Sequence, residues 1–164
     1  MVYQELFKAL NESQIKYLVV GGMAVSLHGI PRSTYDIDLL ISLKPENIYS
    51  FWNKLNSLGW FPIVPIKVEE FVNPDNRQKW RNEKNMLVLS FVNKDKVFQV
   101  IDIFIENVFD FDECYSRRKI VYSNTIPVSV ISIDDLINLK SLAGRQQDQD
   151  DIEALKKIKE INNG

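Results

Sequence analysis

The stretch from Val19 to Ile41, VVGGMAVSLHGIPRSTYDIDLLI, constrains the fold more than any other part of the chain. Tyr17 to Val20 is an apolar, β-branched run halted by Gly21-Gly22, and Met23 to His28 has helical composition until Gly29 and Pro31 close it. A second strand follows from Tyr35 to Ile41. Side chains alternate across a strand, so Asp36 and Asp38 leave one face while Ile37 and Leu39 leave the other.

Two carboxylates about 7 Å apart along one strand face repel each other unless something positive lies between them. Oxygen-only donors favour magnesium or manganese, so the spacing points to a divalent cation. Gly21-Gly22 adds bare backbone N–H groups at a helix start, where anions gather and phosphates can approach closely. Metal and phosphate together imply nucleotide chemistry.

Gly21-Gly22, thirteen residues, then Asp36-Ile37-Asp38 resembles the signature of the polymerase-beta-type nucleotidyltransferase superfamily. The finer pattern, Ala24, His28-Gly29 and Arg32-x-Thr34-x-Asp36-Ile37-Asp38, is more similar to the AbiEii-like branch of abortive-infection toxins. The resemblance implies an α/β (α+β) fold: a mixed, twisted sheet flanked by helices, with a helix pair at the C-terminus. It also implies a third carboxylate on a neighbouring strand. Val97-Phe98-Gln99-Val100-Ile101-Asp102-Ile103-Phe104-Ile105 supplies one, since a lone Asp in so apolar a run is out of place without a partner.

By the same resemblance, Asp36, Asp38 and Asp102 hold magnesium or manganese. A nucleoside triphosphate, ATP in the first instance, binds through Gly21, Gly22 and Arg32. An acceptor hydroxyl attacks the α-phosphorus, pyrophosphate leaves, and Asp102 takes the acceptor's proton. The acceptor could be RNA, a protein or a small molecule, and a toxin-antitoxin setting would bring a cognate antitoxin as partner. The rival expectation is a non-catalytic nucleotide-binding or antitoxin-like protein with the same fold. Arg32 could meet the phosphates or orient Asp36 through a salt bridge.

With 164 residues, 45% of them hydrophobic, the chain can bury one core. It is read as a single domain over 1–164, with a catalytic core at 1–130 and a helical segment at 131–164. The net charge of −2 sets up no global field for nucleic acid or membrane. The single cysteine, Cys114, excludes an internal disulfide and fits packing in a reducing cytoplasm. Met1 to Glu5 lacks the character of a signal peptide, and no apolar run approaches the roughly twenty residues of a membrane span, so a cytoplasmic protein is expected.

Along the chain, periodicity predicts a helix over Val2–Leu10 and another from Pro45 to Gly59. The prolines at 62, 65 and 74 break the next stretch into short pieces. Arg77 to Lys84 is basic around Trp80, and is either a base-stacking surface or a solvated helix with Trp80 in the core. Met86–Val92 and Val97–Ile105 form one predicted hairpin, Ile120–Tyr122 and Ile126–Val130 another. Ser132-Ile133-Asp134-Asp135 is a capping box for a helix that Gly144 ends, and a last helix runs over Gln147–Glu160. This pair carries a second family-like pattern, Lys140, Arg145, Asp148 and Asp151, with Gln147 where lysine is usual. Lys140 and Arg145 are candidates to bind the triphosphate, or else to pair with Asp148 and Asp151. His28, the only histidine, is expected to order the loop at the end of its helix.

Overall fold

Four consecutive buried residues, Tyr17 to Val20, place strand β1 (Tyr17–Val20) inside the sheet, with neighbours on both edges. On one side it pairs antiparallel with β2 (Asp36–Ile41), on the other parallel with β7 (Ile126–Val130). The remaining strands are β3 (Trp60–Pro62), β4 (Val88–Asn93), β5 (Val100–Phe104) and β6 (Lys119–Ser123). The computed structural model, which describes residues 3–163, joins them in one seven-stranded sheet of order β3-β4-β5-β2-β1-β7-β6. The β2–β5 pair is parallel; β4–β5, β3–β4 and β6–β7 are antiparallel hairpins or edge pairings.

The helices are α1 (Gln4–Glu12), α2 (Gly21–Leu27), α3 (Pro45–Ser57), α4 (Val68–Val72), α5 (Pro74–Lys84), α6 (Phe111–Ser116), α7 (Ile133–Ala143) and α8 (Gln146–Asn163). α1 and α3 cover one sheet face, because Leu6, Phe7 and Leu10, and Ile48, Phe51, Trp52 and Leu55, recur at helical spacing and are buried. Trp52 and Phe51 meet Phe91 of β4 edge-on, with ring centroids 5.0 Å and 6.1 Å away. Phe91→Ala would empty this contact at a cost of about 3–5 kcal/mol.

Alternation then does the positioning. Ile37, Leu39 and Ile41 of β2 and Ile101 and Ile103 of β5 are fully buried in this core, so Asp36, Asp38 and Asp102 are held on the opposite face. That face is only partly covered, by α2 and by the C-terminal helices.

Both predicted hairpins form. The first is shorter than expected: β5 begins at Val100, and Val97 and Phe98 stand exposed in the connection, which closes with Gln99 N–H donating to Lys96 O. The N-terminal helix starts at Gln4 and runs on to Glu12; Val2 lies outside the described residues. In the Pro-rich stretch, β3 adds an edge strand and α4 a short turn of helix. Arg77 of α5 is buried and donates to Phe71 O at 2.5 Å and Val72 O at 3.0 Å, capping the carbonyl end of α4. Trp80 packs half-buried near Phe71, as the solvated-helix alternative requires. Ser132 Oγ accepts from Asp135 N–H at 3.1 Å to start α7, and Gly144, at φ +67°, ends it. Cys114 is buried in α6. No helix among the described residues is long and apolar enough to cross a membrane.

Candidate active site

The parallel register of β2 and β5 sets Asp38 directly beside Asp102, and Asp36 beside Val100. With Asp36 two residues from Asp38, the three aspartates share one sheet face. On the outer side, β4 places Ser90 opposite Asp102, and the Ser90 hydroxyl donates to Asp102 Oδ1 at 2.5 Å. On the inner side, Val20 is paired with Asp38, so the chain leaving β1 must turn within reach of that carboxylate. Gly21 makes the turn at φ +66°, and a Cβ on it would overlap the Asp38 carboxylate. Gly22 is less constrained, since a Cβ there would meet Thr34 and Arg32 at 3.4–3.5 Å. The crowded glycine is therefore the first of the pair.

Burial, followed by the Asp102 and Asp36 charges, pushes the Asp38 carboxyl up to about 6; Lys140 and Arg145 oppose part of that rise. Burial also raises Asp102, with the Ser90 hydrogen bond working against it and Asp36 adding to it. Asp36 is exposed at the strand start. Just before it, the Tyr3 hydroxyl donates to Tyr35 O at 2.7 Å and lies 3.2 Å from Val100 O, tying the starts of β2 and β5 together. Burial lifts that phenol to about 12.

The three basic candidates converge from two directions through a shared pair of aspartates. Lys140 is buried, and its Nζ donates to Asp151 at 2.9 Å and Asp148 at 3.4 Å. Arg145 donates to Asp148 through Nε at 2.8 Å, and most of its side chain is exposed. Arg32 Nε lies 3.3 Å from Asp151 Oδ1, a charge contact without hydrogen-bond alignment. Arg32 therefore pairs with α8 rather than with Asp36. Gln147 keeps a place in the cluster by donating to Asp151 at 3.3 Å. Gly21, Asp38, Lys140, Arg145 and Asp148 line one cleft of about 430 Å³ whose other walls, Phe104 and Leu139 among them, are apolar.

Oxygen donors in a row, on a face where burial and then their own repulsion raise Asp38, suit a hard divalent cation, and the side-chain-free surface at Gly21 leaves room beside Asp38. The row is open rather than a closed cage: among the described residues no three His, Cys, Asp or Glu groups converge as a ready metal cluster.

A profile of the family described as "Nucleotidyltransferase of unknown function (DUF6036)" matches residues 1–163. The chain belongs to this nucleotidyltransferase family. Solved structures share its fold. The lincosamide antibiotic adenylyltransferase LnuA, lincomycin-bound, superposes with a TM-score of 0.61 at 16% identity, covering 94% of each chain. ANT(2″)-Ia in complex with adenylyl-2″-tobramycin gives 0.58 at 13% identity, over 97% of this chain and 94% of that one. An antigenic nucleotidyltransferase-like protein from Paracoccidioides brasiliensis gives 0.54 at 18% identity, over 96% of this chain and 73% of that one. No curated protein matches in sequence.

In this family member the sequence pattern missed Ser90 and Tyr3. Ser90 sits in Val88-Leu89-Ser90-Phe91-Val92 as a polar break in an apolar strand, which is a weak signal, and only the β4–β5 register brings it to Asp102. Tyr3 lies far from the site in sequence. His28 stands apart from the carboxylates: it caps α2, is buried, and donates from Nε2 to Ile131 O at 2.8 Å.

Proposed function

We propose that this protein transfers a nucleoside monophosphate from a nucleoside triphosphate, ATP in the first instance, to an acceptor hydroxyl, using magnesium or manganese held by Asp36, Asp38 and Asp102. The observation that carries this reading is the Asp38–Asp102 register with Asp36 on the same face, in a chain of the nucleotidyltransferase family. When bound, the cation supplies charge neutralisation to the phosphates and acidifies the attacking hydroxyl. The chain does the rest. Gly21 and Gly22 keep side chains out of the space beside Asp38, where phosphate oxygens approach. Arg145 and Lys140, both lining the cleft, offset the negative charge that the triphosphate adds. Arg32, anchored on Asp151, lies beside Gly22, outside the cleft that Lys140 and Arg145 line. Asp102, with Oδ1 engaged by Ser90, takes the acceptor's proton on Oδ2. Catalysis of this kind rests on positioning and electrostatics.

For the acceptor, the likeness to LnuA and ANT(2″)-Ia supports a small molecule bearing hydroxyl groups. A role as a toxin with a cognate antitoxin rests on the AbiEii-like sequence pattern alone. We read residues 131–164 as part of the same catalytic unit, since Lys140, Arg145 and Asp148 line the cleft of Asp38.

The deciding experiment supplies each α-labelled nucleoside triphosphate and magnesium, together with separated RNA, protein and small-molecule fractions of a cell extract. Label should pass to one fraction with release of pyrophosphate, and Asp38→Asn and Asp102→Asn should abolish it. Transfer undiminished in both variants would remove the carboxylates from the site. A wild-type protein that binds nucleotide yet transfers nothing to any fraction would favour the non-catalytic alternative.

A further inference from the structure

Asp102 is the one site aspartate whose carboxylate is engaged by a neighbouring strand. Its partner Ser90 lies directly across the β4–β5 ladder, in the register that also pairs Leu89 with Ile103 and Phe91 with Ile101. Those four flanking residues are fully buried, so the ladder cannot slide without emptying the core, and Ser90 is held facing Asp102. On the same face the neighbours of Ser90 are Val88 and Val92, which offer no donor. The Ser90 hydroxyl donates to Oδ1 across 2.5 Å.

We propose that Ser90 is a positioning residue, whose hydroxyl occupies Asp102 Oδ1 and so presents Oδ2 alone, in a fixed orientation, to the divalent cation and the acceptor hydroxyl. A carboxylate on a two-bond side chain can otherwise rotate to offer either oxygen or both. Fixing one oxygen turns Asp102 into a single directed donor. Hydrogen-bond partners of metal ligands act in this way generally, and losing one typically weakens metal affinity or activity about 10–100-fold. The inference rests on the proposed metal-dependent reading and adds to it a residue that the aspartate pattern does not contain.

The test is calorimetric titration of manganese into the full chain with the non-hydrolysable analogue α,β-methylene ATP. Wild type is compared with Ser90→Ala, Ser90→Thr and Ser90→Val. Thr and Val have nearly the same shape and differ in the hydroxyl, and both suit a strand, so their comparison isolates the hydrogen bond even if Ala disturbs packing. Ser90→Thr should bind manganese within about threefold of wild type, while Ser90→Val and Ser90→Ala should bind it about tenfold or more weakly. Thermal unfolding without manganese should show Thr and Val alike. Equal manganese affinity in Thr and Val, whether both intact or both impaired, would overturn the role of the hydroxyl and leave the aspartates untouched. Absence of manganese binding by the wild-type protein would overturn the metal-dependent reading itself, and this inference with it.

Discussion

Gly21 and Asp38 are packed so closely that a methyl group on Gly21 would overlap the Asp38 carboxylate and lie 2.9 Å from its Cγ. Gly21 also sits at φ +66°, where an L side chain costs about 1–2 kcal/mol before any contact is counted. Gly21→Ala should therefore destabilise the protein by about 2 kcal/mol or more and weaken nucleotide binding. Gly22→Ala, with its new Cβ no nearer than 3.4 Å to anything, should cost less than about 1 kcal/mol. Urea unfolding and nucleotide titration of the two variants side by side would show it. Equal tolerance of both would mean that Asp38 has freedom to move aside.

The second prediction concerns Asp38 itself. Its carboxyl is raised from 3.8 to about 6 in the folded protein, a rise of about two units, so the folded state holds this proton more tightly than the unfolded chain does. For this group, stability is highest below the unfolded value and is lost as pH climbs from about 4 through about 6. At about 1.4 kcal/mol per unit the loss is bounded near 3 kcal/mol. Asp38→Asn should flatten this part of the pH profile and stabilise the metal-free protein at pH 7 by about 2 kcal/mol, while abolishing labelled transfer. Denaturant unfolding across pH 4–8 is the measurement; an Asn variant with an unchanged slope would rule the account out.

Lys140 supplies a third. It is buried between Asp148 and Asp151, so removing it leaves two buried carboxylates short of a partner. Lys140→Ala should cost about 3–5 kcal/mol of stability in addition to any loss in triphosphate binding. Lys156→Ala, on the exposed side of α8, should stay within about 0.5 kcal/mol of wild type. Similar melting temperatures for the two variants would show that the Lys140 cluster is solvated.

His28 gives the fourth, with the opposite pH sign. Burial lowers its pKa, the hydrogen bond to Ile131 O opposing, so the folded protein keeps the ring neutral where the unfolded chain would protonate it. Stability from this source is full above the unfolded value near 6.5 and falls as pH drops below it. Replacing the ring by a neutral amide, His28→Gln, should remove that dependence. The difference between wild-type and variant unfolding free energies should grow smaller from pH 7 to pH 5, and a constant difference would count against it.

What was legible in the sequence was local. The alternation in Asp36-Ile37-Asp38, the glycine stop after Val20, the Ser132 cap and the Gly144 stop each depend on residues within a few positions of one another, and each formed as expected. Asp102 could be chosen because the family resemblance implies a third carboxylate and an acid in an apolar strand needs a partner wherever the strand lies. The tertiary structure decided what depends on register between distant segments. Only the β2–β5 pairing sets Asp102 beside Asp38, and only the β4–β5 pairing brings Ser90 to Asp102. Docking of α8 claims Lys140 and Arg32 for Asp151, where charge and spacing alone allowed Arg32 a partner in Asp36. Which of two glycines is crowded likewise follows from how near β1 lies to β2. A strand's pattern says which side chains share a face; which strand lies beside it, and in what register, is settled by burying the core on the other face, where a shift of one residue would turn Ile37, Leu39, Ile101 and Ile103 out into water.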